Sequence, residues 1–388
     1  VTDSSERILQ GYGGRMLVGL SVAWAVLQGG RLLLSPLLPT IIDSLHITAA
    51  TAGFALTALS LVYAATQYPS GRLSDSWSRA TLIVPGLGLL VLAFLALWVA
   101  TSYAGFVVAL LLLGIGKGLF VIPSRALLAD LFVERRGQAL GIYTAGTDIG
   151  GLVASGLAVV ALAAGAWRTP FLPVAGVLSL ATVTYVGWNR EPYRVESADL
   201  ELRETARRLA TTAQQRRTLV AFALFYFFVG GFINFFPTYL AEAKGLDPAL
   251  ASAVFALVFV AGFVSKPVAG GLSDRFPRQT ISVGGFLLGA TALVVILLVS
   301  WLPLLALAVV ALAVGYKAQF PIADALLLDA APEGNAGGDL GAARAFFLTV
   351  GALGPAYVGV TATAFGYPVA FGGLAGCLLV AAGVIARR

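Results

Sequence analysis

The chain has one cysteine, one histidine and one methionine in 388 residues. A lone Cys377 cannot close a disulfide within the chain, and Cys377 with His46 cannot supply the ligands of a zinc site. Charge is scarce too. Asp, Glu, Lys and Arg make up 11% of the residues, against about 25% in a soluble domain. No cluster of carboxylates, histidines or cysteines reads as an acid–base or metal centre. An enzyme is therefore not expected, nor are a catalytic residue, a metal or a cofactor. The basic balance, net +6 with a pI near 9.5, would suit nucleic acid in a soluble protein. In a chain this poor in charge it is better explained by topology, and no nucleic-acid partner is expected.

What the chain has is apolar mass. Hydrophobic residues make up 59% of it, and the mean hydropathy is +0.89. They gather into twelve runs, at 16–42, 48–71, 80–101, 103–131, 137–165, 168–188, 217–241, 248–271, 279–300, 302–330, 337–365 and 367–386. Most exceed the ~20 residues a helix needs to cross about 30 Å of hydrocarbon. Lipid is thus the expected solvent for most of the surface. The 45 glycines suit helices that approach closely where no hydrophobic drive separates them from lipid. Glu6, Arg7 and Arg15 precede the first run, which is not the pattern of a cleavable signal.

The chain repeats itself. Gly71-Arg72-Leu73-Ser74-Asp75-Ser76-Trp77-Ser78-Arg79 recurs 199 residues later as Gly270-Gly271-Leu272-Ser273-Asp274-Arg275-Phe276-Pro277-Arg278. The same shift lays Gly116 on Gly315, and Arg125-Ala-Leu-Leu-Ala-Asp130 on Asp324-Ala-Leu-Leu-Leu-Asp329. Two parallel halves in a membrane chain point to a secondary transporter. The expected architecture is all-α, with twelve transmembrane helices in two six-helix pseudo-symmetric bundles. The divisions fall at 1–188, a linker at 189–216, and 217–388. Within the linker, Asp199–Arg217 reads as an amphipathic helix on the membrane surface.

Basic residues orient the chain. With both termini cytoplasmic, eighteen of the 25 lie in inner segments, and only Arg168 and Lys244 in outer ones. That asymmetry satisfies the positive-inside rule and predicts a multi-pass protein of the cell membrane.

The loop Gly71–Arg79 resembles the G-x-L-a-D-r-x-G-r-k hinge of the major facilitator superfamily. Gly71, Leu73, Asp75 and Arg79 match it, while Ser76, Ser78 and Ala80 depart from it. The second copy keeps Gly270, Leu272, Asp274, Arg275 and Arg278. The segment Glu134-Arg135-Arg136-Gly137 is similar to that family's turn after helix 4. The resemblance covers nearly the whole chain and implies alternating access. It also implies a latch at the cytoplasmic helix ends through Asp75, with Arg79, Asp274 and Arg278 at the same hinges, and a cavity lined by helices 1, 2, 4, 5, 7, 8, 10 and 11. The Gly-Pro pattern of the antiporter helix 5 is not met.

Seven charges fall inside the runs: Arg31, Lys117, Arg125, Lys266 and Lys317, with Asp148 and Asp324. All lie on the helices that the resemblance assigns to the cavity. A charge at the centre of a lipid-embedded helix costs about 2.5–3.5 kcal/mol and usually faces a cavity or a partner. Counting at about 1.5 Å per residue puts Lys117, Asp148 and Lys317 near the midplane and Arg31 slightly outward. It puts Arg125, Lys266 and Asp324 in the cytoplasmic third. Arg31, Lys117 and Lys317 read as an anion site, because charge-assisted bonds can replace the hydration an anion loses. Tyr63, Gln67, Tyr143, Tyr226, Asn234, Gln319 and Tyr357 are candidates to shape it. Asp148 either carries a coupling proton or forms a permanent ion pair with Lys117 or Arg31. Arg125 and Asp324 are either a structural ion pair or a gate between the halves, and Lys266 either joins that gate or snorkels to the interface.

The expected function is a monomeric secondary transporter for a small organic anion, a carboxylate or phosphate ester, with membrane lipid as its surroundings and the proton as a candidate coupling ion. An exporter of drugs or lipophilic compounds on the same fold is the alternative. It would be expected to place acidic residues where helices 1 and 4 carry cations.

Overall fold

The computed structural model describes residues 8–195, 213–273, 275–329 and 336–387. Among these, the side chains of Tyr68, Asp75, Pro267, Ser273, Asp324 and Ala325, and of residues 213–214, 327–329 and 336–342, are not described. The amphipathic helix expected at Asp199–Arg217 lies mostly outside the described residues.

Among the described residues all regular structure is helical. The N-terminal half holds α1 (Gly11–Leu33), α2 (Leu38–Leu45), α3 (Ala49–Ser76), α4 (Arg79–Val99), α5 (Tyr103–Leu131), α6 (Arg136–Ala163) and α7 (Phe171–Trp188). The C-terminal half holds α8 (Ala213–Glu242), α9 (Pro248–Ser273), α10 (Arg278–Leu298), α11 (Leu302–Lys317), α12 (Gln319–Asp329), α13 (Ala336–Gly351), α14 (Gly354–Phe365) and α15 (Tyr367–Ala386). These make twelve membrane-crossing spans, six in each half. The outer surface carries large apolar side chains such as Leu180, Phe263 and Leu307, as lipid contact requires. The chain is a multi-pass membrane protein.

Three spans read as continuous in the sequence are broken in the structure. Span 1 divides into α1 and α2, span 10 into α11 and α12, and span 11 into α13 and α14. Proline accounts for each break. It lacks the N–H that would bond the carbonyl four residues back, and its ring crowds that carbonyl. For Pro36 the carbonyl is that of Leu32, for Pro321 that of Lys317, and for Pro355 that of Gly351, each at or next to the end of a helix. Helix starts are capped at one end of the bundle. Thr48 Oγ1 accepts from Thr51 N at 3.1 Å, and Ser102 Oγ accepts from Gly105 N at 3.2 Å.

The repeat is visible in the packing. A Cβ on Gly116 would lie 3.0 Å from the Gly86 carbonyl oxygen, where α5 crosses α4. A Cβ on Gly315 would lie 2.6 Å from the Gly285 carbonyl oxygen, where α11 crosses α10. Both pairs obey the 199-residue shift. Glycine is required because the backbones touch, which is how van der Waals contact holds helices together in lipid.

The halves meet through α3 with α13 and α14, and through α6 with α9. Bonds between the halves gather at the end of the bundle opposite the termini. Ser35 Oγ donates to Ile233 O at 2.7 Å, and Thr57 Oγ1 accepts from Ala356 N at 3.0 Å. Thr363 Oγ1 accepts from Ala50 N at 3.1 Å, and Ser252 Oγ donates to Ser155 O at 3.0 Å. A Cβ on Gly53 would lie 2.5 Å from Pro355 O. That end is closed by direct backbone contact.

Candidate functional site

Two groups of charges occupy the middle of the bundle. The first is an ion triad between the halves. Asp148 on α6 meets Lys317, the last residue of α11, at 2.8 Å, and its second carboxylate oxygen meets Lys266 on α9. Asp148 and Lys317 are buried, and the Lys266 side chain is 29% exposed. The break after Lys317 delivers its side chain to this point. Gly262 on α9 leaves it room, because a Cβ there would lie 3.0 Å from both Asp148 Oδ1 and the Lys317 stem. Of the two readings of Asp148, the permanent ion pair with Lys117 or Arg31 does not form. Both oxygens are taken by the other half. Lys266 is not a snorkelling residue in this structure, since its ammonium turns to the carboxylate.

The second group lies within the N-terminal half. Lys117 on α5 is 9% exposed, with its ammonium 4.3 Å from the Tyr63 ring centre and 5.9 Å from that of Trp24. Among the described residues it has no hydrogen bond or ion pair. Arg125, two turns further along α5, lies 5.6 Å from the Trp24 ring centre and 5.9 Å from that of Tyr143. Its buried Nε finds no acceptor. Trp24 stacks on Tyr143 at 5.4 Å and donates to Thr147 Oγ1 at 3.0 Å, while the Tyr143 hydroxyl is hydrogen-bonded to Ser124 Oγ at 2.8 Å. The aromatic wall is thus fixed at both ends. A cation–π contact returns about 0.5–2 kcal/mol, which falls short of the several kcal/mol lost by a buried, unpaired cation. Lys117 therefore retains unsatisfied capacity for an anion.

Arg31, in the last turn of α1, reaches across to the other half, where its Nη2 donates to Asn234 Oδ1 on α8 at 3.2 Å. Asn234 is held by its own bond to Gly230 O at 2.7 Å. Among the described residues this neutral partner is the one side-chain hydrogen bond of the guanidinium, and no carboxylate is paired with it.

The structure brings Tyr63, Tyr143 and Asn234 to these cations, and Gln67 is buried one turn along α3 from Tyr63. It turns others away. Gln319 is fully buried against α10, bonded to Ser282 Oγ at 2.8 Å and to Ser282 O at 3.1 Å. The Tyr357 hydroxyl donates to Ala370 O on α15 at 3.3 Å. Tyr226 packs among Phe225, Phe320 and Phe347. The Lys317 ammonium is engaged by Asp148, so it does not share a cluster with Arg31 and Lys117. Trp24 did not stand out in the sequence. The one available signal was its position, a tryptophan in the middle of a span rather than at the membrane interface where tryptophans concentrate.

At the end that holds the termini, Arg79 is paired with Asp130 at 3.3 Å and donates to Ser74 Oγ at 2.8 Å. Asp75, Asp274 and Asp324, expected at the latch and the gate, have side chains outside the described residues. Arg278 is not without a partner.

Two six-helix halves, closed on each other at one end and lined by cations at the middle, can be compared with known proteins. A structure of a bacterial homolog of the human lysosomal transporter Spinster, inward-facing and unoccupied, superposes with a TM-score of 0.82 at 16% identity, over 97% of this chain and 96% of that one. In sequence, the chain is 29% identical over 272 residues to the probable sulfoacetate transporter SauU of Cupriavidus necator, covering 64% of this chain and 62% of that protein. It is 24% identical over 264 residues to the hexuronate transporter of Bacillus subtilis, covering 66% of this chain and 63% of that protein. These matches thus span under two thirds of each relative's length. Residues 20–264 and 218–388 match the model of the Major Facilitator Superfamily. With that match over both halves, and the paired six-helix architecture it describes, the chain belongs to the Major Facilitator Superfamily.

Proposed function

We propose that the protein is a secondary transporter that moves a small organic anion across the cell membrane by alternating access. The observation that carries this reading is Lys117, a buried cation with no acceptor among the described residues. Arg31, set on a neutral partner, adds a second attractive charge. Relatives named for sulfoacetate and hexuronate transport support the substrate class. The orientation proposed from the basic residues puts both termini and the 189–216 linker in the cytoplasm. The closed end is then the outer one, and the halves as they stand expose the site inward. Outward opening requires α6 to part from α9, which would free Asp148 from Lys266 and Lys317. In that state Asp148 could accept a coupling proton, the role proposed for it.

An exporter of lipophilic cations is disfavoured by charge. The described intramembrane side chains include five cations and one carboxylate, and the carboxylate is engaged twice. The test is counterflow in proteoliposomes, with carboxylates and phosphate esters run against lipophilic cations. Exchange of anions that Lys117→Gln abolishes is the expected result. Uptake of a lipophilic cation, indifferent to that substitution, would refute the reading.

A further inference from the structure

Besides Lys117, the N-terminal half presents a second cation with a buried donor left over, the Nε of Arg125. Lys117 and Arg125 approach a single indole, at 5.9 and 5.6 Å from the Trp24 ring centre. That ring cannot turn away, because its N–H is bonded to Thr147 and its face is stacked on Tyr143. Among the described residues the one intramembrane carboxylate, Asp148, follows Thr147 directly in α6, but both its oxygens are bonded to lysines of the other half. Lys117 is more than nine-tenths buried without an acceptor, and Arg125 has a buried Nε without one. The sequence reading left Arg125 as a structural ion pair or a gate with Asp324, whose side chain lies outside the described residues. Among the described residues Arg125 lies beside Trp24 and Tyr143.

From this geometry we infer that Arg125 is a second acid-group subsite, and that the preferred substrate is a small dianion. One acid group binds the Lys117 ammonium and the other binds the Arg125 guanidinium, with a short carbon spacer lying beside Trp24. The guanidinium offers Nε and a terminal nitrogen as a fork that matches a carboxylate, sulfonate or phosphate. The ammonium offers a point charge that accepts any of the same groups. A monoanion satisfies one cation and leaves the other, the buried Lys117 ammonium or the half-buried Arg125 guanidinium with its buried Nε, without an acid group. A dianion satisfies both. The difference is the specificity, because an unmet buried charge is more costly than an extra contact is favourable. The inference rests on the anion-transporter reading above and narrows it.

The experiment uses the full chain, purified and reconstituted in lipid nanodiscs. Binding of succinate is compared with butyrate, and malonate with propionate, at fixed pH and ionic strength, by calorimetry and by quenching of tryptophan fluorescence. Each pair matches chain length and differs in one acid group. The expected result is that the dianion binds about tenfold or more tightly than its partner, the scale of one charge-assisted bond. Arg125→Gln should bring that ratio close to one, chiefly by weakening the dianion. Arg125→Lys should recover part of it, since charge returns without the fork. Equal binding of dianion and monoanion to the unaltered protein overturns the inference while the anion-transporter reading stands. So does an Arg125→Gln variant that weakens both members of a pair by the same factor. If no anion of either kind binds, both readings fall together.

Discussion

Asp148→Asn tests the triad that joins the halves. The substitution keeps the shape of the side chain and removes its charge, so Lys266 and Lys317 face each other with no anion between them. Breaking a buried ion pair from one side costs about 3–5 kcal/mol, because the remaining charge is uncompensated. Lys317 is 4% exposed and carries the full effect, while the Lys266 side chain, 29% exposed, recovers some hydration. The lower end, about 3 kcal/mol, is therefore the reasonable figure. The loss applies while α6 packs on α9 and is relieved when they part. It should shift the balance toward the state open at the other end by roughly a hundredfold, at about 1.4 kcal/mol per factor of ten. Ser252, fully buried where it donates to Ser155 O across the halves, reports on that end. In a Cys377→Ser background, a cysteine placed by Ser252→Cys should react slowly with a polar maleimide. Adding Asp148→Asn should raise its labelling rate by up to the same hundredfold, and Asp148→Glu should not. A folded, monodisperse Asp148→Asn protein that labels at the parent rate would show that the triad does not hold the halves closed.

Four further outcomes are expected. Lys117→Gln should weaken anion binding at least several-fold in equilibrium titration, while membrane insertion is unchanged, since removing an unpaired intramembrane charge eases insertion. A cysteine at the exposed Tyr193, within the 189–216 linker, should be labelled from the cytoplasmic side only, and reaction with impermeant reagent in intact cells contradicts the proposed orientation. Gly315→Val should lower the melting temperature in detergent, at a cost of about 1–3 kcal/mol for overpacking, because its Cβ would lie 2.6 Å from Gly285 O. Gly88→Ala, with nothing within 4 Å, is the matched control and should leave the melting temperature unchanged. Arg79→Ala should cost less than about 1 kcal/mol in a denaturation titration, because its partner Asp130 is 59% exposed and the pair is screened.

The architecture was legible in the sequence because lipid imposes a simple rule. Every backbone polar group must be bonded within its own segment, so long apolar runs become helices and their number is the number of crossings. The repeat was legible for a related reason. Gly116 and Gly315 had been matched by register alone, and the structure shows the same helix contact at both, with Gly86 and Gly285 as their partners. The breaks in spans 1, 10 and 11 were present as Pro36, Pro321 and Pro355, but prolines at 69, 85, 123 and 237 sit inside unbroken helices. Local sequence did not separate the two outcomes, because neighbouring helices decide whether a freed carbonyl is tolerated.

The charged residues divide in the same way. Their presence at the middle of cavity helices was readable from hydropathy, but their partners were not. Depth along a helix is fixed by counting residues, whereas which ammonium meets Asp148 depends on how α6, α9 and α11 face one another across the interface between the halves. Counting put Lys266 in the cytoplasmic third and Asp148 near the midplane, and a lysine stem several ångströms long is enough to close such a gap. The consequence reaches the candidate site. By itself the sequence determined a membrane chain of two similar halves, with an excess of cations at its centre. Only the tertiary structure decided that the one described intramembrane carboxylate serves the far half, leaving Lys117 and Arg125 beside a tryptophan with no counter-charge among the described residues, because pairing is a matter of distance in space and not of position along the chain.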